Sequence, residues 1–170
     1  MVNSEYYGIL EQVHQSFIEA GSQAITTNSY GVTPGVGFSR EEVSKYGALA
    51  GTIARKAAGN DCLVLGSLGP LVESYRPDLI KQHDEGVIDY KIMCEALARH
   101  VDAYLAETMS CVDESLQAVS AVAQLEKSFS KPLLVSYTLH SDGCFRDGTP
   151  IIPGLLRLIK LAKDQGVECK

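Results

Sequence analysis

Four short apolar runs set between amphipathic stretches of helical length constrain the fold of this chain more than any other feature. The runs are Ala24-Ile25-Thr26-Thr27, Cys62-Leu63-Val64-Leu65, Ala103-Tyr104-Leu105-Ala106 and Leu133-Leu134-Val135-Ser136-Tyr137. The third is too short and too apolar to be a surface helix, and the set reads as buried parallel strands. Tyr6, Ile9, Leu10, Val13 and Phe17 mark one face of a helix over residues 5–20. Val43, Tyr46, Ala50, Ile53 and Ala57 mark a second helix behind the capping-box pattern Ser39-Arg40-Glu41-Glu42. Further helices are expected over about 89–100 and 111–128, with Ser110 and Asp113 as the capping box of the latter. Leu155, Leu158, Ile159 and Ala162 mark a last one. The order αβαβαβαβα predicts a parallel α/β fold in one domain.

The loops tell which end of the sheet carries function. Connections from helix to strand are short, as at Gly21-Ser22-Gln23 and Gly59-Asn60-Asp61. Connections from strand to helix are long and polar, over 28–39, 66–88 and 139–152. In strand–helix proteins the long loops at the carboxyl ends of the strands hold the ligand. Glu107 sits at that rim, closing the run Ala103–Ala106, where a carboxylate is either a ligand group or half of a structural ion pair. Asn28, Tyr30, the segment Gly66-Ser67-Leu68-Gly69-Pro70 and His140 to Thr149 fall on the same side. His14 and His100 fall in helices and are expected to be solvated or capping.

Charge and cysteine content exclude several classes. A net charge of −6, with Lys and Arg scattered along the chain, argues against a nucleic-acid surface. No apolar run is long enough to span a membrane, and Met1-Val2-Asn3-Ser4-Glu5 lacks the basic and apolar regions of a leader. The five cysteines, Cys62, Cys94, Cys111, Cys144 and Cys169, are widely spaced without a C-x-x-C pair, as expected of reduced thiols in the cytoplasm.

Taken in order, the rim segments resemble the homocysteine S-methyltransferase family. They are Ala20-Gly21-Ser22-Gln23-Ala24-Ile25-Thr26-Thr27-Asn28-Ser29-Tyr30, Gly66-Ser67-Leu68-Gly69-Pro70, Ala106-Glu107-Thr108-Met109, and Ser136-Tyr137-Thr138 with Asp147-Gly148-Thr149-Pro150. The resemblance implies a (β/α)8 barrel that moves a methyl group from a small donor, such as S-methylmethionine, to the thiol of homocysteine, giving methionine. A zinc ion on three cysteines would hold that thiol as the thiolate nucleophile. By the same resemblance Glu107 receives the homocysteine ammonium and Tyr30 lies near the sulfur. Thr27 and Asn28 flank it, and Gly66, Ser67 and Gly69 let the backbone approach the ligand.

The chain departs from the family in its metal ligands. The family's Asn-Cys and Gly-Gly-Cys-Cys zinc motifs are absent, and none of the five cysteines falls on a ligand position. The expectation is therefore a barrel segment, residues 1–170, corresponding to strands two to five of eight and truncated at both ends. A complete barrel takes about 250 residues. Strands beginning near 24 and 133 would be left as open edges, inviting self-association. Two other readings compete: a non-catalytic relative that acts as a binding or subunit-pairing module, and an unrelated doubly wound protein. Strand order separates the last from a barrel.

Overall fold

The computed structural model describes residues 4–170, and of Ser4 and Glu5 the backbone alone. Met1 to Asn3, part of the stretch read for a leader, lie outside the described residues. Helix α1 (Ser4–Glu19) leads into strand β1 (Ala24–Thr26), then α2 (Arg40–Ala58), β2 (Leu63–Leu68), α3 (His83–Leu97), β3 (Ala103–Met109), α4 (Val112–Ala123), β4 (Leu133–Tyr137) and α5 (Ile151–Asp164). The four strands pair in parallel in the order β1-β2-β3-β4. The order never reverses, so there is no switch point of the doubly wound kind, and the sheet is an arc of a strand–helix barrel. Among the described residues no helix is long and apolar enough to cross a membrane.

Alternation along the strands divides the molecule into two faces. Val64 and Leu68 of β2, Tyr104 and Ala106 of β3 and Leu133 of β4 are buried against Tyr90, Leu97, Leu116 and Val119 of the helices. Leu63, Leu65, Leu105, Leu134 and Ser136 fall on the other, concave face, where Leu63 is 56% exposed. The amino ends are stapled by Asp102, whose Oδ2 accepts from Val64 N at 2.8 Å and from Arg55 Nη2 at 2.6 Å. Asp89 of α3, its side chain fully buried, receives Arg40 Nε at 2.8 Å and Lys81 Nζ at 2.6 Å. It ties the start of α2 and the loop before α3 to one point. The Ser39 capping box forms as expected: Ser39 Oγ accepts from Glu42 N, and Ser39 N donates to Glu42 Oε2 at 2.9 Å.

Several sequence expectations need correction. Helix α3 begins at His83, earlier than the periodicity indicates, because Asp84 and Glu85 suit the amino end of a helix dipole while contributing no apolar signal. Ser110 and Asp113 form no capping box. Cys111 is the N-cap of α4, without a side-chain cap bond, and Ser110 N donates to Glu114 Oε2 at 2.7 Å. Asp113 instead meets Arg157 at 2.6 Å. His14 is buried, its Nε2 without a partner, and burial lowers its pKa. The apolar face of α1 exists but is not core: Tyr6, Ile9, Val13 and Phe17 are all exposed, and among the described residues no further element lies beyond β1 to cover them. The β1 edge is open as expected. The β4 edge is not, because residues 168–170 lie alongside it: Leu133 N donates to Glu168 O and Val135 N to Lys170 O, at 2.8 and 2.9 Å.

Candidate functional site

A groove of about 500 Å3 runs along the open edge of β1, from Ser22 to the carboxyl end, between the strand and Val13 and Phe17 of α1, and reaches Ser67 of β2 and Glu107 of β3. Thr27, Asn28, Tyr30, Ser67 and Glu107 all line it. Five of the seven residues to which the resemblance gives a role therefore come together. Gly66 does not. A Cβ built there would lie 3.2 Å from Leu97 and 3.3 Å from Tyr104, so Gly66 faces the helices. The cause is strand alternation: Ser67 points into the groove, so its neighbour points away. Gly66 serves packing of α3 on the sheet. Gly69 does border the rim: a Cβ there would lie 2.5 Å from the Tyr30 carbonyl oxygen.

Glu107 is placed by an irregularity of the sheet. Ala106 pairs with Val135 and Met109 with Tyr137, so β3 carries one residue more than β4 across this step. The extra residue is a bulge, which turns a side chain away from strict alternation. Thr108, next to Glu107, has φ 64°, a left-handed conformation that costs a β-branched residue about 1–3 kcal/mol. Its N–H points to Ser136 Oγ at 3.4 Å. The run expected to stop at Ala106 thus continues to Met109 with Glu107 at its break.

Hydroxyls from two strand ends hold the carboxylate, Ser67 directly and Thr27 and Ser29 through Ser67. Ser67 Oγ donates to Glu107 Oε1 at 2.5 Å. Ser67 N donates to Thr27 Oγ1 at 2.9 Å, and Ser29 Oγ donates to Ser67 O at 2.7 Å. Since the Ser29 proton is used there, the 2.8 Å contact between Thr27 Oγ1 and Ser29 Oγ must carry the Thr27 proton. Thr27, Ser29 and Ser67 are all buried. Ser29 was not singled out in the sequence, although it shares strand parity with Thr27. Asn28 lines the groove on the open side of β1. Tyr30 OH lies 2.6 Å from Ser74 Oγ, so the loop after β2 reaches across to the end of β1.

The rim beside β4 is a hairpin over 139–150, closed by the bridges Leu139–Phe145 and Cys144–Pro150. His140, considered for proton transfer from its position, is exposed and its Nε2 lies 3.3 Å from Arg146 O within this hairpin. It is absent from the residues lining the Glu107 groove.

The cysteines do not fit a zinc site. Cys94 and Cys111 are buried, and burial raises both thiols, Cys111 to about 11, which opposes the thiolate form that zinc requires. Cys62 Sγ points to Ser22 O at the amino end of the sheet. Among the described residues no three His, Cys, Asp or Glu side chains stand together as a metal site.

Comparison with known proteins agrees with this architecture. Crystal structures of the homocysteine methyltransferase MmuM from Escherichia coli share the fold at 23% identity. The metallated form gives a TM-score of 0.72 over 97% of this chain, and the oxidized form 0.77 over 94%. The chain spans only 65% and 63% of those two proteins. No curated protein matches it in sequence. The sequence profile of the homocysteine S-methyltransferase family, however, matches residues 2–167, a span that includes every helix from α1 to α5 and all four strands. With strand-end segments in the family's order on an arc of the family's barrel, this chain belongs to the homocysteine S-methyltransferase family.

Proposed function

We propose that this chain forms the amino-acid half of a site for methyl transfer to homocysteine, with Glu107 as receptor for the substrate ammonium. The observation that carries the reading is that Glu107 lines the groove with Ser67 donating to its Oε1, while no hydrogen bond within the protein engages its Oε2 among the described residues. A carboxylate held this way suits an ammonium in a partly dry mouth, where charge-assisted hydrogen bonds are strong. Thr27 and Ser67 orient the carboxylate. Asn28 and Tyr30 bound the space beside it, with Tyr30 near the substrate sulfur. In the reaction the sulfur forms a new bond to the donor's methyl carbon, the donor's own bond to that carbon breaks, and the thiol proton is lost. The methyl donor, S-methylmethionine or a similar small molecule, enters from the open groove.

Zinc, which the resemblance implies for the intact family enzyme, would keep the thiol deprotonated. The residues of this chain do not fit it: no three His, Cys, Asp or Glu side chains stand together among the described residues. The alternative, a non-catalytic module, keeps the binding half alone. A cytoplasmic setting follows from the same reading.

The test is binding of L-homocysteine to the 170-residue chain, followed by ligand-observed NMR. Glu107→Gln keeps the shape and removes the charge. Loss of a charged hydrogen bond of about 1.5–3 kcal/mol weakens binding roughly 10- to 150-fold. Equal affinity in the variant would refute the role of Glu107. Binding without methyl transfer, in a chain supplied with zinc and S-methylmethionine, would favour the module.

A further inference from the structure

We propose that two copies of this chain close around one barrel axis, with α1 of each copy seated on α5 of the other. Both ends of the arc carry an apolar helix face that no other element covers among the described residues. On α1 the stripe is Tyr6, Ile9, Val13 and Phe17, at 61, 56, 44 and 58% exposure. On α5 it is Ile152, Leu156 and Ile159, at 68, 62 and 57%. Both stripes turn toward the open edges of the sheet. Val13 and Phe17 border the groove along β1, and Ile159 borders a second groove of about 340 Å3 with Val167, Glu168 and Cys169 at the other edge.

Direction and charge select α5, not a second α1, as the counterpart of α1. Each helix of the arc runs opposite to its strands, so carrying the parallel sheet from one copy into the next sets α5 and α1 side by side in the same sense. Both stripes start in the first turn of their helix, and Tyr6 then comes level with Ile152, Ile9 with Leu156 and Val13 with Ile159, to within about 1.5 Å of rise. Helix α1 carries Glu5, Glu11 and Glu19 and no Lys or Arg. Helix α5 carries Arg157, Lys160 and Lys163 against a single Asp164, and the two lysines have no ion-pair partner among the described residues. Glu19 ends α1 and Lys163 lies in the last turn of α5, so the opposite charges fall at the same end of the seam. Two antiparallel α1 helices would instead bring Glu19 to Glu5.

The sheet edges offer matching backbone groups. Thr27 N donates to Leu65 O and Leu63 N to Gln23 O, so Ala24 and Thr26 turn their N–H and C=O to the open side of β1. At the other edge Glu168 O and Lys170 N bond to Leu133, which leaves the backbone of Cys169 facing out. Two arcs supply eight full strands, the number of a barrel of this type, so a half-turn repeats the same seam on the far side and the assembly closes as a dimer. Each seam covers the two stripes at about 100 Å2 per side chain, about 1,400 Å2 over both seams, within the range of a stable interface. Helix α5 of one copy then lies along the open side of the Glu107 groove of the other, so each groove is completed by the second chain.

The test is complementation between two variants of the 170-residue chain, with mass read by light scattering after gel filtration. Wild type should run as a dimer that dissociates on dilution, without larger species. Ile9→Lys and Leu156→Glu should each be monomeric, because in either homodimer a charge meets an apolar stripe at both seams. Mixed one to one they should recover the dimer, since one seam is then wild type and the other sets the new lysine against the new glutamate. Both positions are exposed in the single chain; Phe17→Lys and Ile159→Glu form a second pair if circular dichroism shows either variant unfolded. A Leu156→Glu chain that stays dimeric while Ile9→Lys does not would place α1 on α1 and overturn the proposal. So would a monomeric wild type, a ladder of larger species, or a mixture that stays monomeric.

Discussion

Asp89 offers the sharpest test of how this arc is held together. Its carboxylate is fully buried, yet its partners are not: the Arg40 side chain is 53% exposed and that of Lys81 22%. Asp89→Ala therefore leaves two cations that can turn to water, and the cost falls below the ~3–5 kcal/mol of orphaning a buried charge. It exceeds the ~0–1 kcal/mol of a surface pair. About 2–3 kcal/mol is expected, or a Tm drop of roughly 5–10 °C for a domain of this size. The double variant Arg40→Ala/Lys81→Ala strands the carboxylate itself in the core and should cost more, about 4 kcal/mol. Differential scanning calorimetry at neutral pH reads both values. Since the carboxylate is shielded from solvent, the losses should persist in 0.5 M salt, well above the ionic strength at which surface pairs are screened. A double variant more stable than Asp89→Ala would refute the reasoning, because it would mean the buried charge finds water after all.

Burial raises the pKa of Glu114 above 4.5, against the opposing hydrogen bonds from Ser110. A raised carboxyl stabilises the fold at low pH, and that contribution is lost as pH rises through the folded value. The Tm of Glu114→Gln relative to wild type should accordingly climb between pH 4.5 and 7.5, and a flat difference would count against it. At Gly154 a Cβ would lie 2.3 Å from Phe145 Cε2 and 3.0 Å from Val112 Cγ2. Gly154→Ala should cost about 1–3 kcal/mol in urea melts, and a neutral result would show that the Phe145 ring is free to move. The open β1 edge and the exposed Ile9 and Phe17 should make the chain self-associate, seen as concentration-dependent sedimentation. Ile9→Lys with Phe17→Lys should abolish that association with little change in Tm, and a wild-type chain that stays monomeric would contradict it.

Much of this was legible in the sequence, and the misses have identifiable causes. The parallel α/β class follows from the alternation of apolar runs and helices, because parallel strands must be joined by crossovers, whereas the strand order that separates a barrel arc from a doubly wound sheet does not. Asn28, Tyr30, Ser67 and Glu107 fall at the long-loop end of those runs, the family resemblance adds Thr27, and the structure brings the five side by side. Gly66 was misplaced because a segment as short as Gly66–Pro70 does not reveal which parity faces the groove. Ser29 draws its significance from a partner 38 residues away, and no local pattern marks it. The exposed face of α1 has an ordinary amphipathic signature; periodicity reports that a face wants cover and is silent on whether cover exists. The same holds for the β4 edge, whose neighbour is only the short segment 168–170.

The direction of the protons between Thr27, Ser29, Ser67 and Glu107 has a consequence for chemistry at the mouth. Each of the three hydroxyls has a single hydrogen, and each already hands it onward within the protein. None is left to offer a visitor. Whatever meets the free oxygen of Glu107 must bring its own hydrogens, so the mouth should select amines by their protonation state and release them as alkali strips that proton away.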